Sequence, residues 1–231
     1  MIMRSRIPAV LSAALALAVA APALSQSAAP TEKVTLKGRK GPKLLRPGYE
    51  VGEYTGSYSA RPMARKGLGS LDKVRADFDL TSPDLAQPIV ADCAGGQSRF
   101  KLVITWDRDD LSYNCNYGGA APADARLEVA VARGKSVLSR LQGNQRAGEL
   151  HWKNQVIRFE TAQMKGLPLS AGKPAAYVFT KDGVEVGRVD IVSGMGLSPP
   201  TFYLPPKGAP EREAVAVAAL SLYFFPDPGD K

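Results

Sequence analysis

The residues that could perform chemistry are few and far apart in this 231-residue chain. His151 is the single histidine, so a His-rich metal centre is excluded and a nucleophilic triad would have to use this one ring. No G-x-S-x-G motif accompanies it. His151 precedes Trp152 in a short predicted strand, and we interpret it as a surface or packed residue.

Two other segments resemble sites only in part. Residues 166–173 have the glycines and lysine of a phosphate loop, but five residues separate the glycines and Pro174 stands where a hydroxyl is required. Asp107, Asp109 and Asp110 could bind calcium through carboxylate oxygens. The same acids are typical of a hairpin turn, and Arg108 lowers the local negative charge, so we favour the turn.

The two cysteines, Cys93 and Cys115, predict one disulfide. An even number of cysteines in an exported chain is typical of a structural bridge. A redox or metal role is the alternative, but no C-x-x-C motif is present. Closing this separation should stabilise the fold by about 3 kcal/mol on the chain-entropy model.

The amino terminus has the pattern of a secretory signal peptide. Arg4 and Arg6 precede an apolar stretch that ends in small residues, so we assign residues 1–25 to the signal. An uncleaved membrane anchor is the alternative. Export would place the protein in the periplasm or outside the cell.

A basic segment follows, and we expect residues 26–50 to be flexible. Its cations could contact an anionic surface such as a lipid, or the segment could be a solvated linker or first strand. The chain as a whole is basic, with a formal net charge of +8. The possible contact residues are Lys33, Lys37, Arg39, Lys40, Lys43 and Arg46.

The other end of the chain predicts a buried helix over 211–225. Pro210, Glu211 and Glu213 suit a helix start, and the alanine-rich apolar run that follows leaves no polar face. The run is too short to cross a bilayer, which indicates a protein core. A strand is the alternative, because the residues also alternate.

Between these ends, short β-branched and aromatic segments recur from residue 51 to Leu204 and predict antiparallel strands. Lys153-Asn154 and Asp182-Gly183 are hairpin signals. So many strands should close into a barrel, whose interior the terminal helix could fill. We therefore predict a mainly β fold: one domain over 51–231, a closed antiparallel barrel around the helix, with a β-sandwich as the alternative.

This pattern resembles the tubby carboxyl-terminal-like superfamily, which includes the phospholipid scramblases and the LURP-one-related proteins. The resemblance rests on the strand run, the final hydrophobic helix and the hairpin from Tyr177 to Ile191, and covers most of residues 50–226. It implies a twelve-stranded barrel around a central helix. The basic residues of tubby-type phosphoinositide sites do not align with this chain, and the scramblase cysteine-rich and calcium segments are absent. Only the fold is carried over.

These observations predict an exported, non-enzymatic protein that binds an envelope lipid or protein partner. We expect no cofactor, no metal, no nucleic acid partner and no transmembrane span after signal removal. One alternative is a secreted hydrolase or enzyme inhibitor whose site is built from loops. The other is a structural envelope component.

Overall fold

A computed structural model describes residues 29–40, 46–63, 71–99, 109–132, 145–162, 175–191 and 199–225. The predicted signal peptide, residues 1–25, lies outside these ranges. Within them are thirteen strands and one helix. The strands are β1 (Glu32–Thr35), β2 (Lys37–Lys40), β3 (Gly48–Val51), β4 (Tyr54–Met63), β5 (Leu71–Leu80), β6 (Ile89–Arg99), β7 (Asp109–Gly119), β8 (Arg126–Ala132), β9 (Gln145–Trp152), β10 (Gln155–Ala162), β11 (Ala176–Lys181), β12 (Val184–Asp190) and β13 (Thr201–Leu204), and the helix is α1 (Arg212–Tyr223).

All strands belong to one antiparallel sheet that curls into a nearly closed barrel. From β3 to β13, each strand pairs with the next along the chain. The two ends of the sheet, β1 and β2, are consecutive in sequence and separated by Leu36 alone. β1 pairs with β13 and β2 pairs with β3, so this single run of chain joins both edges. We call it the seam.

Alternating side chains explain the strands. In β5, Val74, Ala76, Phe78 and Leu80 are buried, whereas the charged residues between them face outward. This period of two directs one face of each strand to the core. In the part that the structure describes, the barrel interior is therefore mostly apolar, and the buried polar or charged residues are Arg146, Asp190, Arg212 and Ser221.

Hairpin turns confirm the two turn signals. Lys153 and Asn154 have φ values of 49° and 61°, and Asp182 and Gly183 have values of 50° and 81°. Positive φ at both central residues is the geometry that matches the twist of paired strands. The predicted strand Thr201–Leu204 has the same bounds as β13.

The helix occupies the barrel interior, as predicted. Residues 214–222 are buried on every side, and side chains from β3, β5, β7 and β9 reach it. The helix is slightly shorter than the predicted 211–225, because Glu211 is its N-cap and Phe224 its C-cap. A sheet ring around a central helix excludes the β-sandwich alternative.

Two expectations about strands need correction. The segment 26–50, expected to be flexible, contains β1, β2 and most of β3 in its described part. The proline, glycine and lysine content of this segment is typical of a loop, so the sequence did not predict strands there. They are strands because β1 pairs with β13 and β2 pairs with β3. The chain also turns at Gly52, which has a φ of 62°, so the predicted strand from residue 51 to 60 is divided between β3 and β4.

Candidate basic site on the outer barrel face

The barrel has two ends with different connections. We call the end at the start of α1 the N mouth, and it is formed by segments 52–53, 81–88, 120–125, 153–154, 182–183 and 205–211. The opposite end is the C mouth, where the strand ends are joined by segments 41–47, 64–70, 100–108, 133–144, 163–175 and 191–200.

Charge differs between these two sets of segments. Those of the N mouth contain five acids and two bases, whereas those joining strands at the C mouth contain eleven bases and one acid, Asp107. The positive balance of the sequence is thus concentrated in the connections of one barrel end. These basic connection segments lie mostly outside the described residues, so the charge difference is a property of the sequence.

Three cations lie on the outer surface of β4 and β5 near the C mouth. Arg61 lies directly opposite Arg75 in the strand pairing, and Lys73 follows one step closer to the mouth. Arg61 and Lys73 are exposed, and neither forms an ion pair with any residue in the described ranges. Arg75 donates to Asp92 over 3.0 Å. We call Arg61, Lys73 and Arg75 the basic face.

On the neighbouring strand β6, Asp92 pairs with Arg75 and leaves Arg61 and Lys73 without an ion pair among the described residues. Across β6 and β7, the residues in register with Lys73 and Arg75 are Gly96, Ala94, Ser112 and Asn114. These residues are small or uncharged. Like charges placed opposite each other are unfavourable across a strand pair. The ion pair of Arg75 with Asp92 offsets part of its repulsion with Arg61, and a bound anion would offset more.

Of the six cations predicted from sequence, five lie in the described ranges. Lys33 is exposed on β1, Lys37 contacts Glu50 over 3.1 Å, and Arg46 contacts Asp77 over 3.1 Å. Arg39 and Lys40 belong to β2, and Lys43 lies outside the described residues. The ion pairs of Lys37 and Arg46 reduce the charge they offer to a partner.

Of the other singled-out residues, the structure describes His151, Asp109 and Asp110, whereas Asp107 and residues 166–173 lie outside the described ranges. His151 is on the outer face of β9, where Nε2 lies 2.9 Å from Glu149 and 3.3 Å from Arg126. Asp109 and Asp110 lie in β7 rather than in a turn, opposite Arg99 and Ser98. Among the described residues, no three His, Cys, Asp or Glu side chains are grouped as a metal site requires.

The predicted cysteine pairing is supported. Cys93 and Cys115 are opposite each other on β6 and β7, and their sulfur atoms lie 2.02 Å apart. Both side chains point into the core, where their exposure is 0% and 1%. The bridge is therefore an internal link between neighbouring strands.

The barrel interior contains a small polar group beside the helix. Ser221 on α1 lies 2.7 Å from the Tyr117 hydroxyl, and it donates to the Val217 carbonyl. Burial raises the pKa of the Tyr117 hydroxyl, although its hydrogen bond with Ser221 lowers it. Such a tyrosine is neutral at physiological pH and anchors the helix rather than acting as a base.

A second polar group holds the start of the helix at the N mouth. The Arg212 guanidinium contacts Glu53 through Nε at 2.5 Å and through Nη2 at 2.7 Å, and Glu32 through Nη1 at 2.9 Å. Hydrogen bonds from Arg212 hold the pKa of the Glu53 carboxyl below its usual value. Lys181 lies 2.6 Å from Glu211 and lowers the pKa of that carboxyl in the same way.

Comparison with known proteins returned no match to this chain among protein families, curated proteins or solved structures. The resemblance to tubby-like proteins therefore stays a prediction. Within the described part of the chain, no helix is both long and apolar enough to span a membrane.

Proposed function

We propose that this protein is exported and acts without catalysis, by binding an anionic lipid surface of the cell envelope through the basic face. Export rests on the signal-peptide pattern of residues 1–25. The observation that carries the binding proposal is the placement of Arg61, Lys73 and Arg75 on one outer surface, where Arg75 pairs with Asp92 while Arg61 and Lys73 form no ion pair with any described residue.

The filled interior supports a surface mode of binding. Residues 214–220 of α1 are fully buried, and large side chains such as Trp152, Tyr113 and Phe179 occupy the space around them. A ligand in the lumen would have to displace this packing. A lipid surface instead needs only exposed cations, which the basic face provides.

The adjoining sequence supports the same surface. The segment 64–70, which joins β4 to β5, adds Arg65 and Lys66 without an acid. Each cation close to an anionic membrane contributes about 1 kcal/mol at moderate ionic strength. The three cations of the basic face would therefore contribute about 3 kcal/mol to reversible binding.

Co-sedimentation with lipid vesicles tests this proposal. The mature chain should sediment with vesicles that contain phosphatidylglycerol and not with pure phosphatidylcholine vesicles, and binding should weaken as salt rises. Because each lost cation contributes about 1 kcal/mol, Arg61→Gln/Lys73→Gln should weaken binding by about thirtyfold.

Arg126→Gln/Arg158→Gln is the matched control, because it removes the same charge from the outer face of β8 and β10. This control should bind nearly as well as the wild type. An equal loss in both double variants would mean that net charge alone drives binding. Absence of binding at low and moderate salt would contradict the lipid proposal and leave an envelope protein as the partner to seek.

A further inference from the structure

The seam and the helix share one buried cation. Arg212 begins α1, and its side chain is only 4% exposed. It contacts Glu32 of β1, both carboxylate oxygens of Glu53 in the turn before β4, and the Pro205 carbonyl that follows β13. One guanidinium thus connects the first strand, the β3–β4 turn and the last strand to the helix.

The seam has few other attachments in the described part of the chain. β1 is four residues long and pairs with β13 alone. β2 has only two residues in register with β3, Lys37 and Lys40. Short strands with few paired residues open more easily than the long strands β5 to β7. The barrel should therefore open first at the seam.

Removing β1 would change the surroundings of Arg212 directly. The guanidinium would lose Glu32 and become more open to water near Gly52, where an added Cβ atom would lie 3.4 Å from Val34 Cγ1 and 3.7 Å from Arg212 Nη2. A buried arginine stays buried only while its partners satisfy it. Displacement of β1 therefore weakens the contact that holds the first turn of α1 in the barrel.

We propose that Arg212 couples the seam to the helix, so that separation of β1 from β13 and undocking of the first turn of α1 occur as one opening event. The barrel then has a defined point of opening, and a force or partner acting on the amino-terminal strand reaches the buried helix. This device is independent of the basic face, which lies near the opposite mouth.

Hydrogen exchange of a cross-linked protein tests the coupling. Lys33 of β1 and Tyr203 of β13 are directly opposite each other, so Lys33→Cys/Tyr203→Cys can be oxidised to fix the seam. Exchange should slow in residues 32–35 and, by a similar factor, in residues 212–216. Lys33→Ser/Tyr203→Ser is the control, because it changes the same positions without a bridge.

Amides of β6 and β7 report global unfolding in the same experiment. The proposal requires the slowing in residues 212–216 to exceed the slowing in β6 and β7. The proposal is overturned if the bridge slows exchange in β1 but not in residues 212–216. It is also overturned if exchange in residues 212–216 slows only as much as exchange in β6 and β7.

A second variant tests the coupling without a new bridge. Glu32→Gln should speed exchange severalfold both in β1 and in the first turn of α1, because it removes the charge that connects them. Glu50→Gln is the control: it removes an exposed carboxylate of β3 that pairs with Lys37 of β2. Exchange in the first turn of α1 should stay unchanged in this variant. Faster exchange in β1 alone after Glu32→Gln would contradict the proposal.

Discussion

At the residue scale, one glycine shows how closely the helix approaches the barrel wall. A Cβ atom on Gly187 of β12 would lie 2.6 Å from Cγ1 of Val215 and 2.9 Å from the Tyr203 carbonyl oxygen. These distances are shorter than any ordinary carbon contact. Glycine is therefore needed at this position by the helix packed against it.

Gly187→Ala should lower the free energy of unfolding by about 1–3 kcal/mol, because the added methyl group overpacks the contact between β12 and α1. Urea denaturation measures this change. Gly118→Ala is the matched control, since a Cβ atom there would have no neighbour within 4 Å, and it should be nearly neutral. Equal stability of the two variants would contradict the close approach of the helix.

The residue scale also shows why the basic face was missed from sequence. The alternation of Lys73, Val74 and Arg75 predicts that both cations point the same way. The partner of Arg75 across the strand pair, Arg61, follows only from the register of β4 and β5. The six cations of the amino-terminal segment are close in sequence. On a barrel, however, strand register decides which charges lie side by side.

At the element scale, the helix and most strands could be predicted because their patterns are local. The apolar run of α1 and the turn residues at Lys153-Asn154 and Asp182-Gly183 carry their own signals. The seam strands β1 and β2 do not. Each is four residues long, and each is a strand because of a pairing with another part of the chain, β1 with β13 and β2 with β3.

The pair of Arg212 with Glu53 makes the helix attachment sensitive to acid. Because Arg212 lowers the pKa of Glu53 in the folded protein, the unfolded chain binds the proton more readily, with a pKa of about 4.3. The pair therefore stabilises the fold at pH values above the unfolded pKa. This contribution is lost as pH falls through the lower folded pKa.

Glu53→Gln should lower the free energy of unfolding at pH 7 by about 1.5–3 kcal/mol, the range for hydrogen bonds to charged groups. It should also flatten the loss of stability on acidification, because the titrating group is gone. Denaturation curves at pH 7 and at decreasing pH measure both effects. Glu50→Gln is the control, because Glu50 belongs to an exposed ion pair, and it should lower the free energy of unfolding by less than about 1 kcal/mol. If the stability of Glu53→Gln fell with decreasing pH as steeply as that of the wild type, the role of this pair would be contradicted.

At the scale of the whole molecule, the charge asymmetry runs along the same axis as the helix. The positive end of the helix dipole lies at the acidic N mouth, and its negative end is directed to the C mouth, whose connections are basic. Both arrangements are favourable for the dipole. The direction of the helix dipole is thus compatible with basic connections at the C mouth and acidic connections at the N mouth.

The disulfide contributes to the stability of the whole barrel. Cys93→Ala/Cys115→Ala should lower the free energy of unfolding by about 2–5 kcal/mol, measured by thermal or urea denaturation without reductant. Treating the wild type with a thiol-alkylating reagent under the same conditions should leave its mass unchanged. Alkylation of two free thiols in the folded protein would contradict the bridge.

Binding of an anionic surface by the basic face is the central claim, and hydrogen exchange in the presence of phosphatidylglycerol vesicles tests it most directly. The account predicts slower exchange in residues 57–63 and 71–77, which contain Arg61, Lys73 and Arg75, and unchanged exchange in the N-mouth turns at 153–154 and 182–183. Slower exchange in those turns instead, or unchanged exchange in β4 and β5 of the vesicle-bound protein, would contradict binding through the basic face.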